Sequence, residues 1–285
     1  MNASATQPTA AAAGTLAIGD LTVNRMGFGA MRICGKSVWG PPADPDNARR
    51  VLRRAMELGV NFIDTADSYG PDVSETLIAE ALHPYPAGLV IATKGGYERP
   101  APGGWVPNGR PDHLRKVLEG SLKKLRVDCI DLYQLHVPDP AVPYAESVGT
   151  LADLQRAGKI RHIGVSNVNV AQLEDARRIA PVVSVQNEYN LGERGSDEVL
   201  TACERLNIPF IPWYPLDAGR SLKSAKLKEL AAARGVSAAQ LALAWLMSRS
   251  PMMLMIPGTG SVAHLEENVA AAALRITPQD AAALA

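Results

Sequence analysis

Short apolar segments, many of them β-branched, recur along the chain at residues 26–30, 60–66, 89–94, 129–136, 162–167, 183–189, 209–215 and 253–258. Runs this brief and this uniformly apolar predict strands covered on both faces, as in a parallel sheet packed under helices. Between them, apolar residues fall at helical spacing, as in Val51, Leu52, Ala55, Met56 and Leu58, in Leu114, Val117, Leu118 and Leu122, and in Leu241, Ala244 and Trp245. These stretches carry start signals at Asp46-Asn47, Pro111-Asp112 and Ser237-Ala238, while Gly59 and Gly158 supply stops. A strand followed by a helix, repeated along nearly the whole chain, predicts an α/β fold of the (β/α)8 TIM-barrel type rather than a doubly wound sheet.

Residues 16–23, turning at Ile18-Gly19-Asp20-Leu21, predict an N-terminal β-hairpin ahead of the first barrel strand, placed to plug the N-terminal face of the barrel. Residues 1–14 are rich in Ala, Thr and Ser and lack the charged start and leucine-rich stretch of a signal peptide, so they are expected to form a disordered tail. Residues 15–285 are then expected to make one barrel domain. Two Gly- and Pro-rich stretches, 32–45 and 95–109, follow the first and third strands. Loops of that length at strand C-terminal ends belong to the face where barrel enzymes build their sites.

Composition narrows the partners. Apolar residues make up 47% of the chain, and 29 Lys and Arg balance 29 Asp and Glu. A core can form, but no excess charge attracts a polyanion, so nucleic acid is not an expected partner. No run of apolar residues is long enough to span a bilayer. Cys34, Cys129 and Cys203 are odd in number and lack metal-ligand spacing, which points to buried, reduced thiols in a cytoplasmic protein without a metal site.

Four ionisable residues end apolar strands or begin the loops after them: Asp64 and Tyr69 after the second strand, Lys94 at the end of the third, and His136 at the end of the fourth. In a barrel these would converge on one rim. Reduction of a carbonyl by hydride needs a proton for the oxygen, and a phenol with a pKa near 10 is a reluctant donor. A neighbouring Lys94 ammonium would draw the Tyr69 pKa down, with Asp64 holding the lysine charged and oriented. His136 would donate a hydrogen bond to the carbonyl oxygen or assist proton transfer.

The segments Asp64-Thr65-Ala66-Asp67-Ser68-Tyr69-Gly70, Ile91-Ala92-Thr93-Lys94, Asp131-Leu132-Tyr133-Gln134-Leu135-His136, Gly164-Val165-Ser166-Asn167, Gln186-Asn187-Glu188-Tyr189-Asn190 and Ile256-Pro257-Gly258-Thr259 occur in that order. Together the chain resembles the aldo-keto reductase family from residue 16 to the C-terminus. The resemblance implies NAD(P)H-dependent reduction of a small-molecule aldehyde or ketone, with Asp64, Tyr69, Lys94 and His136 as the catalytic set and Tyr69 as proton donor. It also implies a nicotinamide cofactor held without a Rossmann domain, in keeping with the absence of a GxGxxG motif opening a helix after a strand.

By the same resemblance, Ser166, Asn167 and Gln186 bind the nicotinamide carboxamide, Trp213 stacks on its ring, and Pro215 and Leu216 follow in the same motif. Pro257, Gly258, Thr259, Ser261 and His264 fall where the family holds the adenosine phosphate, with Glu267 and Asn268 as adenine contacts. Relatives that use NADPH often carry Lys or Arg there, and this chain has no cation in the segment before Arg275. NADP(H) is the implied cofactor, with NAD(H) left open.

Trp39 and Trp105, in the two long loops, are the candidate apolar walls of a substrate pocket. The chain ends soon after Pro278-Gln279-Asp280, without the long C-terminal loop of many animal relatives, so a more open pocket is expected. Gly40-Pro41-Pro42 and Gly70-Pro71-Asp72-Val73 resemble a bacterial branch that includes pyridoxal reductases, which suggests pyridoxal or another aromatic aldehyde as substrate. Two other readings are a non-catalytic, nicotinamide-binding regulatory protein on the same barrel and an aldolase-like enzyme using Lys94 as a Schiff base.

Overall fold

The computed structural model describes residues 7–284. An antiparallel hairpin of β1 (Thr15–Ile18) and β2 (Leu21–Asn24) precedes β3 (Phe28–Gly29). The chain then alternates α1 (Pro45–Glu57), β4 (Phe62–Asp64), α2 (Val73–Leu82) and β5 (Val90–Gly95). A small hairpin of β6 (Tyr97–Glu98) and β7 (Val106–Pro107) leads into α3 (Pro111–Leu125). There follow β8 (Ile130–Leu135), α4 (Tyr144–Arg156), β9 (Ile160–Ser166), α5 (Val170–Ile179), β10 (Val182–Glu188), α6 (Asp197–Leu206) and β11 (Phe210–Trp213). Four helices complete the described chain: α7 (Ala225–Ala233), α8 (Ala238–Arg249), α9 (Val262–Ala270) and α10 (Pro278–Leu284).

The fold is a (β/α)8 barrel. Seven parallel strands pair in the order β3, β4, β5, β8, β9, β10 and β11. The expected eighth strand, 253–258, forms single parallel bridges rather than a regular strand, from Met255 to Met26 and from Met253 to Phe210. Its backbone still closes the cylinder: Gly27 N donates to Met255 O at 2.8 Å, and Leu254 N to Phe210 O at 2.9 Å. Glycine is required at this seam, because a Cβ on Gly29 would lie 2.6 Å from Ile256 O, and one on Gly258 would lie 2.4 Å from Gly29 O.

The helices start where local chemistry directs. Asp44 caps α1 by accepting from Asn47 N, and Pro45 takes the first turn, where its missing N–H costs nothing. Ser237 and Gln240 form a capping box at the start of α8. Gly59 and Gly158, at φ 77° and 74°, take left-handed positions just past α1 and α4.

Side-chain alternation along the strands divides the interior. Phe62, Val90, Ala92, Leu132, Ile211 and Leu254 share one cluster with Ile18 and Val23 of the hairpin, so the hairpin packs into the lower end of the barrel as a plug. Ile63, Ile91, Tyr133 and Leu135, one residue out of phase, instead pack in the larger cluster with the helices. A one-residue slip would exchange these two sets, which fixes the strand register.

The N-terminal tail differs from expectation. Residues 1–6 lie outside the described residues, but Ala10–Ala13 form a 3-10 turn in which Ala10 is fully buried and its N–H donates to Leu58 O. Alanine is small enough to fit against Gly59, so a composition that reads as unstructured packs on the barrel. Cys34 and Cys203 are buried free thiols as expected, whereas Cys129 is exposed. Among the described residues no single helix is long and apolar enough to cross a membrane.

Candidate active site

The inward face that carries Phe62, Val90, Ala92 and Leu132 at the bottom of the barrel continues upward, at the same two-residue period, to Asp64, Lys94, Gln134 and His136. Strand alternation therefore aims all of them into the upper barrel. Lys94 is fully buried and Asp64 is 2% exposed. Lys94 Nζ donates to Asp64 Oδ1 at 2.6 Å, to Thr65 O at 2.8 Å and to Tyr69 Oη at 3.3 Å, which uses all three of its hydrogens. The other Asp64 oxygen accepts from Gln186 Nε2 at 2.8 Å and Gln134 Nε2 at 3.1 Å. Burying an ion pair is a weak source of stability, so a pair this completely bonded is arranged to hold a charge in place.

That charge is aimed at Tyr69. The ring of Tyr69 meets His136 and Trp105 edge to face, at centroid distances of 5.9 and 6.3 Å. The lowered Tyr69 pKa expected from sequence is not found, because burial pushes the phenol well above its usual value and the Asp64 charge adds to that shift. The closed site thus keeps Tyr69 protonated. Burial also pulls the Lys94 ammonium below its usual value, opposed by Asp64. Burial, with the Lys94 charge, holds His136 well below the usual imidazole value, so this ring is neutral at physiological pH and donates through one N–H only.

A cavity of about 340 Å³ opens over these groups. Of the expected residues it is lined by Asp64, Tyr69, His136, Ser166, Asn167, Gln186, Trp213, Pro215, Leu216, Pro257, Gly258 and Trp105. Lys94 lies beneath it. Trp39 is not part of the wall: the Arg99 guanidinium stacks on Trp105 at 3.8 Å and faces Trp39 at 5.5 Å, so Trp39 anchors the loop behind the wall. Thr259, Ser261, His264, Glu267 and Asn268 also lie outside this cavity, further along the same segment. Ser261 caps α9 by accepting from His264 N, Thr259 Oγ1 accepts from Ser261 N, and His264 is exposed. Asn268 is 3% exposed.

Several lining residues were not expected. Tyr97 stands 4.7 Å from the His136 ring and 5.3 Å from Trp105, carried there by the β6–β7 hairpin. Met31, Arg32, Tyr214 and Ala218 also line the cavity. Gln134 could have been found, since it shares the inward face with His136 two residues later. Arg32 could not, because only barrel closure brings it beside Gly258, where a Cβ would lie 3.7 Å from Arg32 Cγ.

The rim opposite Tyr69 suits a primary carboxamide. Asn167, in the left-handed region at φ 58°, ties three strand ends together: its Nδ2 donates to His136 O and Ser166 Oγ, and its Oδ1 accepts from Trp213 Nε1. Ser166 Oγ therefore keeps its own hydrogen to donate, while no hydrogen bond reaches Gln186 Oε1 among the described residues. One free donor beside one free acceptor matches an amide that needs both.

With this geometry in place, the chain can be set beside known proteins. A model of the aldo/keto reductase family matches residues 25–285. The chain belongs to the aldo/keto reductase family. It is 48% identical over 272 residues to an uncharacterised oxidoreductase of Schizosaccharomyces pombe, covering 95% of this chain and 88% of that one. It is 44% identical over 271 residues to the pyridoxine 4-dehydrogenase of Escherichia coli, covering 93% and 95%. Among solved structures, an aldo/keto reductase from Klebsiella pneumoniae in complex with NADP and acetate superposes with a TM-score of 0.80 at 27% identity, covering 95% of this chain and 93% of that one. This aldo/keto reductase is accordingly an oxidoreductase of a family that works with a nicotinamide cofactor, and the non-catalytic reading is set aside.

Proposed function

We propose that this aldo/keto reductase catalyses NAD(P)H-dependent reduction of aldehydes or ketones to alcohols, with Tyr69 as proton donor. The observation that carries the reading is the Lys94 ammonium, buried and bonded to both Asp64 and the Tyr69 oxygen. When bound, the reduced nicotinamide supplies the hydride.

The residues of the chain would do the rest. Ser166 and Gln186 would hold the carboxamide, with the Trp213 face against the ring. The neutral His136 N–H would fix the carbonyl oxygen near Tyr69 Oη. As negative charge grows on that oxygen, the Tyr69 proton would move to it, and Lys94 would stabilise the phenolate left behind. Trp105, Tyr97 and the edge of His136 would exclude water.

For the cofactor we favour NADP(H). Arg32 is exposed beside Gly258 and, among the described residues, has no ion pair, so the cation missing from the segment between Ile256 and Arg275 is available from the loop after β3. For the substrate we favour pyridoxal or a similar flat aromatic aldehyde, in line with the aromatic wall and the Escherichia coli relative. The free cysteines suit a cytoplasmic setting.

Titration with NADPH and NADH, followed by a carbonyl panel containing pyridoxal and nitrobenzaldehyde, tests cofactor and substrate. Tyr69→Phe tests the mechanism: kcat should fall by roughly 10² to 10⁴ with NADPH affinity nearly unchanged. Retention of most of the wild-type kcat would remove Tyr69 from its role.

A further inference from the structure

A second polar layer lies on the other side of the strands that carry the active site. Thr93 and Tyr133 flank Lys94 and Gln134 in sequence and point the opposite way, toward the helices. Thr93 Oγ1 donates to Glu75 Oε1 at 2.6 Å, and Lys124 Nζ faces Glu75 Oε2 at 3.1 Å. Glu75 and Tyr133 are fully buried. Asp67, 8% exposed, joins them from the loop after β4, its backbone N–H donating to Lys94 O at 3.3 Å.

This layer is incompletely bonded. Asp67 Oδ1, Tyr133 Oη and Ser121 Oγ are buried with no hydrogen-bond partner among the described residues. Asp67 is absent from the catalytic cavity and lines a separate outer cleft of about 340 Å³, together with Asp72, Glu98, His113, Lys116 and Lys124. Protons can therefore reach Asp67 from solvent without passing the substrate.

Charge bookkeeping sets its state. The Asp64–Lys94 pair is balanced, and so is Glu75 with Lys124, whose ammonium also reaches the exposed Asp72. A carboxylate at Asp67 would be an extra buried negative charge beside Glu75. Burial first, and Glu75 next, push the Asp67 carboxyl up to about 8, against the pull of Lys124. The same negative charge acts on the active site, favouring the protonated forms of both Lys94 and Tyr69.

We propose that Asp67 is a positioning residue for carbonyl reduction: as a neutral acid it leaves the Lys94 charge to Tyr69, and as a carboxylate it offsets that charge and weakens Tyr69 as a proton donor. The inference rests on Tyr69 being the donor. The other ionisable groups packed around Asp67 cannot produce the same effect. His113 is held below the usual imidazole value, Tyr133 stays a phenol, and Lys124 is raised above the usual lysine value. Glu98 and Asp72 are solvated, and the Arg99 guanidinium stays charged even though burial lowers its pKa.

The test is the pH dependence of steady-state reduction, with NADPH and an aromatic aldehyde, in wild type, Asp67→Asn and Glu75→Gln. Wild-type kcat should fall roughly three- to tenfold as pH rises through about 8, with little change in the aldehyde KM. Asp67→Asn should lose this limb and hold its neutral-pH rate to higher pH. Glu75→Gln, by removing the charge that keeps Asp67 protonated, should move the limb to lower pH. A limb unchanged in Asp67→Asn, or unmoved in Glu75→Gln, overturns the proposal.

Thermal melting gives a readout independent of turnover. Between the usual carboxylate value of 3.8 and about 8, folded wild type holds a proton that the unfolded chain has lost, so its stability falls with rising pH. The melting temperature of Asp67→Asn should therefore rise relative to wild type over that window, and a constant difference counts against the inference. If wild type itself reduces no carbonyl at any pH, it is the Tyr69 reading that fails.

Discussion

The two faces of β5 and β8 carry polar groups at the same height and treat them oppositely. On the inner face, all three hydrogens of Lys94 and both oxygens of Asp64 are engaged. On the outer face, Asp67, Tyr133 and Ser121 leave buried oxygens without partners. An uncompensated buried ion costs far more than an unpaired hydroxyl, so the chain completes the inner set and tolerates gaps in the outer one. The gaps also leave the outer set free to change protonation without disturbing the geometry of the inner one.

The largest effect expected from breaking this contrast comes from the inner face. Lys94→Met leaves Asp64 as a buried, unpaired charge and should cost about 3–5 kcal/mol of stability. Chemical denaturation would measure it, and reduction should be abolished in the same protein. A loss under about 1 kcal/mol would mean the pair is far more solvated than its burial indicates.

A smaller effect is expected where the two faces touch. A Cβ on Gly95 would sit 2.1 Å from Tyr133 Oη, because the phenol of β8 lies against the backbone of β5. Gly95→Ala should therefore cost about 1–3 kcal/mol, and adding Tyr133→Phe should return part of it, a coupling that a double-mutant cycle would read. Additive effects would show that the contact does not matter.

The smallest effect belongs to Tyr133→Phe alone. Removing a buried hydroxyl that has no partner should leave the melting temperature unchanged or raise it slightly. A loss above about 1 kcal/mol would reveal a bond to Tyr133, such as an ordered water, and would make the two faces alike.

Much of the inner site was legible in the sequence because strand alternation is local. Once residues 89–94 and 129–136 read as strands, Lys94 and His136 had to end them. Ser166, Asn167 and Gln186 came from the family resemblance rather than from alternation; all three line the same cavity, but the bonds from Asn167 to His136 and Trp213 were not legible. Trp39 was misplaced and Tyr97 missed because both sit on excursions whose direction depends on contacts far away in the chain. The tail was misread because alanine carries almost no periodic signal, and its fit against Gly59 is a matter of shape.

The sequence by itself determined the barrel, from periods of two and 3.6 residues, the plug at its base, from a hairpin turn, and the placing of Asp64, Lys94 and His136 at strand ends, while Tyr69, in the loop after β4, was picked out by the family resemblance. Only the tertiary structure decided three further things. Burial raises rather than lowers the pKa of Tyr69, since desolvation depends on everything packed around the phenol. Arg32 stands beside Gly258 because the two ends of the barrel sheet meet there. Asp67 shares a buried layer with Glu75 and Tyr133 because helix and strand bring together residues from three separate segments, where their charges are no longer screened by water.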